Sequence, residues 1–181
     1  ERIYPTFVFS IAWSMLLFTV VGLVLFVGCV PGPLLFRLSA AMLMAFVGGT
    51  WVASIFLTAI RDYGQVLWGF AIGSVASFVG SWLCGRWLGM TGAMVGFTLG
   101  QGVLVLLLFR AIYKEVGNHA VGDPEFLRCF RRYWQLALCG LFYNLGIWID
   151  KFLFWWLDPA AEKIAGLLHS APVYDRVVYF A

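Results

Sequence analysis

The sequence predicts an all-α, polytopic membrane helix bundle, and three observations predict it. Four stretches, 6–30, 38–60, 63–85 and 87–109, carry no charged side chain, and each is long enough to cross about 30 Å of hydrocarbon as a helix rising about 1.5 Å per residue. Hydrophobic residues make up 62% of the chain and charged residues 12%, against about 25% charged in ordinary soluble domains. The basic residues also collect in alternate connections, the pattern expected when Lys and Arg in short loops are retained on one side of a membrane.

The first stretch, 6–30, is too long and too poorly flanked for the apolar part of a secretion signal, and is expected to be the first span. The second is 38–60. The third and fourth, 63–85 and 87–109, place small residues at every fourth position: Gly69, Gly73, Ser77, Ser81, Gly85 and Gly89, then Gly92, Gly96 and Gly100. In lipid such a stripe lets backbones approach closely, so these two helices should pack tightly against each other or a neighbour. Gln101 is expected to bond across helices as packing glue. A fifth span, 133–156, is interrupted only by Asp150 and Lys151. Most of the tryptophans near span ends read as interface anchors; Trp148 is deeper.

Residues 110–132 form the longest connection and should separate two bundles. Asp123-Pro124-Glu125 has a cap oxygen, a proline at the first helical position and an acid at the positive helix end. The segment 126–134 that follows, with Arg128, Arg131 and Arg132 among aromatic and aliphatic residues, suits an amphipathic helix on the inner leaflet. It reads first as a topology anchor and second as a site for anionic lipid. Counting alternate connections, Arg2, Arg61, Arg110, Lys114, Arg128, Arg131 and Arg132 put seven basic residues on one side, against four on the other (Arg37, Arg86, Lys163, Arg176). The richer side should be cytoplasmic. Beyond the fifth span, Asp158-Pro159 is expected to start a short helix through Glu162 and Lys163 in an extracytoplasmic loop, and 177–181 to open a sixth span. The first residue is Glu1 and the last closes an apolar run, so both ends look cut from something longer.

The fifth helix carries the candidate site. Asn144, Trp148 and Lys151 fall at i, i+4 and i+7 and share a face, with Tyr143, Ile147 and Asp150 on the adjacent stripe. A helix surrounded by lipid does not keep such a side, because ionisable groups at membrane depth are costly. Asp150 and Lys151 are about 100° apart around the axis, so each needs a partner on another helix, a hydrated cavity or a route outward. Two readings stand side by side: a positional lock, in which Lys151 snorkels and Asp150 bonds a neighbouring helix, and a role in translocation. Tyr174, Asp175 and Arg176 form an aromatic-plus-acid segment fit either to touch a sugar polymer or to make a charged interfacial turn.

Other chemistry finds little support. Cys29, Cys84, Cys129 and Cys139 lack metal-ligand spacing and only His119 and His169 could join them, so no metal is expected. There is no phosphate-binding glycine loop and no G-x-S-x-G nucleophile elbow. No enzyme, cofactor or nucleic-acid partner is expected.

The stretch from Tyr143 through Asn144, Trp148, Asp150 and Lys151 to Trp156, followed by Gly166-Leu-Leu-His-Ser-Ala-Pro-Val-Tyr-Asp175, resembles the inner-membrane transporter family of the Pel exopolysaccharide system. That family is similar to the multidrug, oligosaccharidyl-lipid and polysaccharide exporters. The resemblance implies a twelve-helix transporter of two six-helix lobes, of which this chain covers the third to seventh helices, with 110–132 as the cytoplasmic connection between lobes. It implies movement of an amino-sugar-rich polymer or its precursor across the bacterial cytoplasmic membrane by alternating access, beside subunits of a glycosyltransferase or synthase complex. Asp150 would then suit a cationic sugar or a coupling proton, with Lys151 tuning its charge. The competing class is a non-transporting membrane scaffold whose polar stripe docks a partner's helix.

Overall fold

A computed structural model describes residues 3–116, 131–165 and 168–180. It falls into two compact units, one of residues 1–28 and 32–126, the other of 29–31 and 127–181. Asp123-Pro124-Glu125, Arg128, Cys129 and His119 lie outside the described residues, as does most of the expected amphipathic helix; Arg131 and Arg132 are helical and exposed.

The first unit is helical. α1 (Ile3–Gly22) continues into a π-helical turn (Leu23–Val27), α2 runs Leu34–Ala59, and α3 covers Tyr63–Val116 with one non-helical residue, Gly89, at φ 60° and ψ −140°. That backbone is open almost only to glycine, and here it folds α3 into two antiparallel arms, 63–88 and 90–116. The chain was expected to turn around Arg86, between 85 and 87. The turn comes three residues later because Gly89 is the residue that can make it, leaving Arg86 in the last turn of the first arm with its guanidinium 3.9 Å above the Trp82 ring.

The two arms meet along their small residues. A Cβ added at Gly80 would lie 2.7 Å from the Gly96 carbonyl oxygen, and one at Gly69 would lie 3.0 Å from Leu108 Cδ2. Gly73 faces Leu104, Gly92 faces the Cys84 carbonyl, and Gly100 faces Ser77. Gln101 Nε2 donates to Ser77 Oγ at 3.1 Å. α2 presents a similar small face: Ser39, Ala40, Ala41, Ala45, Gly48, Gly49 and Ala53 are all buried. The core joins α1, α2 and the second arm through Ile11, Ala53, Phe56, Leu57, Leu104, Leu108, Ala111 and Ile112. Thr98 Oγ1 ties the second arm to α2 by donating to the Ser39 carbonyl at 3.2 Å.

α2 ends in a Schellman motif, with the Asp62 N–H on the Leu57 carbonyl and the Arg61 N–H on that of Thr58. Arg61 takes the left-handed position at φ 64°, where glycine is usual. Asp62 then accepts the Gln65 N–H at 3.3 Å and caps the first arm of α3.

The second unit holds α4 (Trp134–Leu157), an antiparallel pair β1 (Glu162–Ala165) and β2 (Leu168–Ser170), and α5 (Pro172–Phe180). The short helix expected from Asp158 through Lys163 is not there. Asp158 Oδ1 instead accepts the Ala160 N–H at 2.9 Å, a local turn that competes with helix, and the chain leaves it as a strand with Glu162 opposite Ser170 and Lys163 opposite His169.

Among the described residues three helices are long and apolar enough to cross a membrane, Leu34–Ala59, Tyr63–Glu115 and Trp134–Leu157; Ile11–Val27 is a shorter apolar helix. The third and fourth charge-free stretches of the sequence are the two arms of the second of these. The chain is therefore an all-α membrane protein, with one short hairpin among the described residues.

Candidate functional site

The site is built within the second unit, where the turn and hairpin after α4 bring α5 back beside the last turns of α4. Asp150 Oδ1 accepts the backbone N–H of Lys151 at 2.8 Å, and Oδ2 accepts the hydroxyl of Tyr174 at 2.6 Å. The Tyr174 ring stacks on Phe154, centroids 4.3 Å apart and planes 16° from parallel. Because Asp150 and Phe154 are one turn apart on the same face, one tyrosine covers both.

The next residue of α5 makes a second anchor. Asp175 Oδ2 accepts the Ser170 hydroxyl at 2.9 Å and the Ala171 N–H at 3.1 Å, and Oδ1 accepts the Trp155 indole N–H at 3.3 Å. Desolvation pushes the Asp175 carboxyl up, but the Ser170, Trp155 and Ala171 donors together outweigh it and, helped by the Lys151 charge, hold it below the ordinary carboxylate value. The hydrogen bond to Asp150, followed by desolvation, raises the Tyr174 phenol above its ordinary value.

Lys151 lies between two indoles. Its Nζ is 5.2 Å from the Trp148 ring centre and 5.3 Å from that of Trp155, at i−3 and i+4 along the helix, within cation–π range of both. Two tryptophans thus flank one ammonium, and the Asp150 and Asp175 carboxylates are anchored on the same stretch of α4 and α5. Rings and carboxylates together suit a cation, and the exposed Trp148 ring, with the half-buried Trp155 beside it, offers an apolar face.

The structure brings together Asp150, Lys151 and Trp148 of the residues expected from sequence. Asn144 shares their helix, but its Nδ2 donates to the Gly140 carbonyl at 2.8 Å, and Tyr143 is 71% exposed further along. Trp155, Phe154 and Ser170 were missed. Tyr174 and Asp175 were noticed for their chemistry but not as partners of Asp150 and Trp155. The signal lay in two ionisable dipeptides or their equivalents, Asp150-Lys151 and Tyr174-Asp175, separated by a connection with turn residues at Asp158-Pro159 and Pro172.

With this geometry in place, the comparison with known families decides the assignment: the PelG family, "Putative exopolysaccharide Exporter (EPS-E)", matches residues 1–181. The chain belongs to the PelG family. No curated protein and no solved structure matches it. Export of an exopolysaccharide is not an enzymatic role, and membership implies a polysaccharide as the substrate.

Proposed function

We propose that this PelG-family chain belongs to a multi-pass transporter of the bacterial cytoplasmic membrane that moves an amino-sugar-rich exopolysaccharide, or its precursor, by alternating access between two lobes. The reading rests on one observation: Asp150, in an apolar helix long enough to span a membrane, is held by Tyr174 of a second helix beside an ammonium flanked by two indoles. A carboxylate kept at such a position by a dedicated donor suits transient exchange of partners, in which a sugar ammonium replaces Lys151 near Asp150 and Asp175 while Trp148 and Trp155 stack on the ring. Asn144 and Tyr143 extend the same two stripes along α4 and would line the path further on.

The test is Asp150→Asn in the full-length protein. Export should be abolished while membrane insertion is unchanged; full export by this variant refutes the role.

A second reading, a non-transporting scaffold of a synthase complex, is favoured by the fact that α4 buries none of its residues, so that its polar stripe would dock a partner's helix. Solvent labelling of cysteines placed at 144, 148 and 151 separates the two. Water access supports a cavity, and protection supports a helix interface.

A further inference from the structure

The first unit holds a concave site of its own. Gln65, Trp68 and Gly69 at the start of the first arm of α3 face Arg110 and Lys114 at the end of the second arm across a cavity of about 190 Å³. Gly69 forms its floor. The arms are in contact there, with Leu108 Cδ2 only 3.0 Å from where a Cβ would stand. Among the described residues no acid lines it; Asp62, at the opening of the first arm, is engaged as a cap on the Gln65 N–H.

Two features of this notch call for an anion. Arg110 and Lys114 are one turn apart on one helix face, so their side chains can converge on a single anion. Donors also dominate the polar lining: a guanidinium, an ammonium, a carboxamide and an indole. Its place in the fold narrows the source. Arg110 is the first residue after the charge-free stretch 87–109, and Gln65 and Trp68 lie in the first two turns of 63–85, so the notch sits at the level where an apolar span meets water. Ile72 and Leu107 continue its wall on the apolar side.

We propose that this notch seats the phosphate headgroup of an anionic membrane lipid, with the phosphodiester oxygens between Arg110 and Lys114, Gln65 and Trp68 at the rim, and the acyl chains running past Ile72 and Leu107. Basic pockets between spanning helices are suited to such headgroups. The site does not depend on what the protein transports.

The experiment is native mass spectrometry of the full-length protein released from micelles containing equal phosphatidylglycerol and phosphatidylcholine. Wild type should retain phosphatidylglycerol with a preference of about thirtyfold, the value of two basic groups at an anionic surface. R110Q/K114Q should bring that preference close to parity, whereas the charge-keeping exchange R110K/K114R should preserve it. Millimolar inorganic phosphate or diphosphate should leave the bound lipid in place. A second measurement keeps both charges: phosphatidylglycerol with brominated chains should quench the fluorescence component lost in W68F more than brominated phosphatidylcholine does. An unchanged preference in R110Q/K114Q, equal quenching by the two lipids, or displacement by free phosphate would each overturn the assignment to a lipid headgroup.

Discussion

The hydroxyl of Tyr174 reaches Asp150 Oδ2 across 2.6 Å while its ring lies flat on Phe154. One side chain of α5 therefore makes a polar and an apolar contact with α4, and the two can be separated by mutation.

Tyr174→Phe keeps the stack and removes the bond. Export should fall by about fivefold or less, the range for a single exposed charged contact, and Tyr174→Ala, which removes both contacts, should fall further. Equal export by Tyr174→Phe and wild type would mean that Asp150 does not need its donor.

The contact between α4 and α5 should be insensitive to pH through the neutral range and weaken at both ends. Asp175 is held below its ordinary 3.8, so its contribution is fully present above that value and is lost as pH falls through the lower folded value. Tyr174 is raised above its ordinary 10.0, so its contribution is present below that value and is lost as pH rises through the higher folded one. Cross-linking between cysteines placed on α4 and α5, followed against pH, reads both limbs. Ser170→Ala should move the acid limb upward, because it removes one of the donors that favours the carboxylate.

Two backbone positions should respond in opposite directions. Gly89→Ala adds a Cβ that meets nothing within 4 Å, so its cost of about 1 to 3 kcal/mol is purely conformational. Arg61→Gly relieves a left-handed residue at φ 64° and should gain about 1 kcal/mol. Thermal unfolding in a fixed detergent measures both.

The Gln101–Ser77 hydrogen bond between the arms of α3 should show a coupling of about 0.6 kcal/mol in a double-mutant cycle of Gln101→Leu with Ser77→Ala, the average for such bonds between membrane helices. A coupling of zero would assign the closeness of the arms wholly to their glycines.

The helices of this chain were legible because lipid imposes a simple rule, a long run without charge: 38–60, 63–85 and 87–109 obey it, and 134–157 departs from it only at Asp150 and Lys151. The stripe Gly73, Ser77, Gly92, Gly96 and Gly100 was legible for the same reason, since small residues at a helical period mark where backbones approach. The turn at Gly89 was not, because in a glycine-rich region nothing local says which glycine leaves the helix. The strand at Glu162–Ala165 was missed because Asp-Pro followed by polar residues opens turns as readily as helices, and the choice is made by pairing with Leu168–Ser170. In the candidate site, the need of Asp150 for a donor on another element followed from its place on α4. The identity of that donor did not, since it depends on how the hairpin returns α5 to the last turns of α4.

The donor to Asp150 is 24 residues downstream on the same chain, and this bears on biogenesis. An aspartate near the middle of an inserting helix costs about 3 kcal/mol at the translocon, and Asp150 lies seven residues, or about 10 Å, from the helix end at Leu157. With Tyr174 emerging from the ribosome so soon afterwards, the carboxylate gains a hydrogen-bond donor from its own hairpin, so α4 and α5 can enter the membrane as one unit.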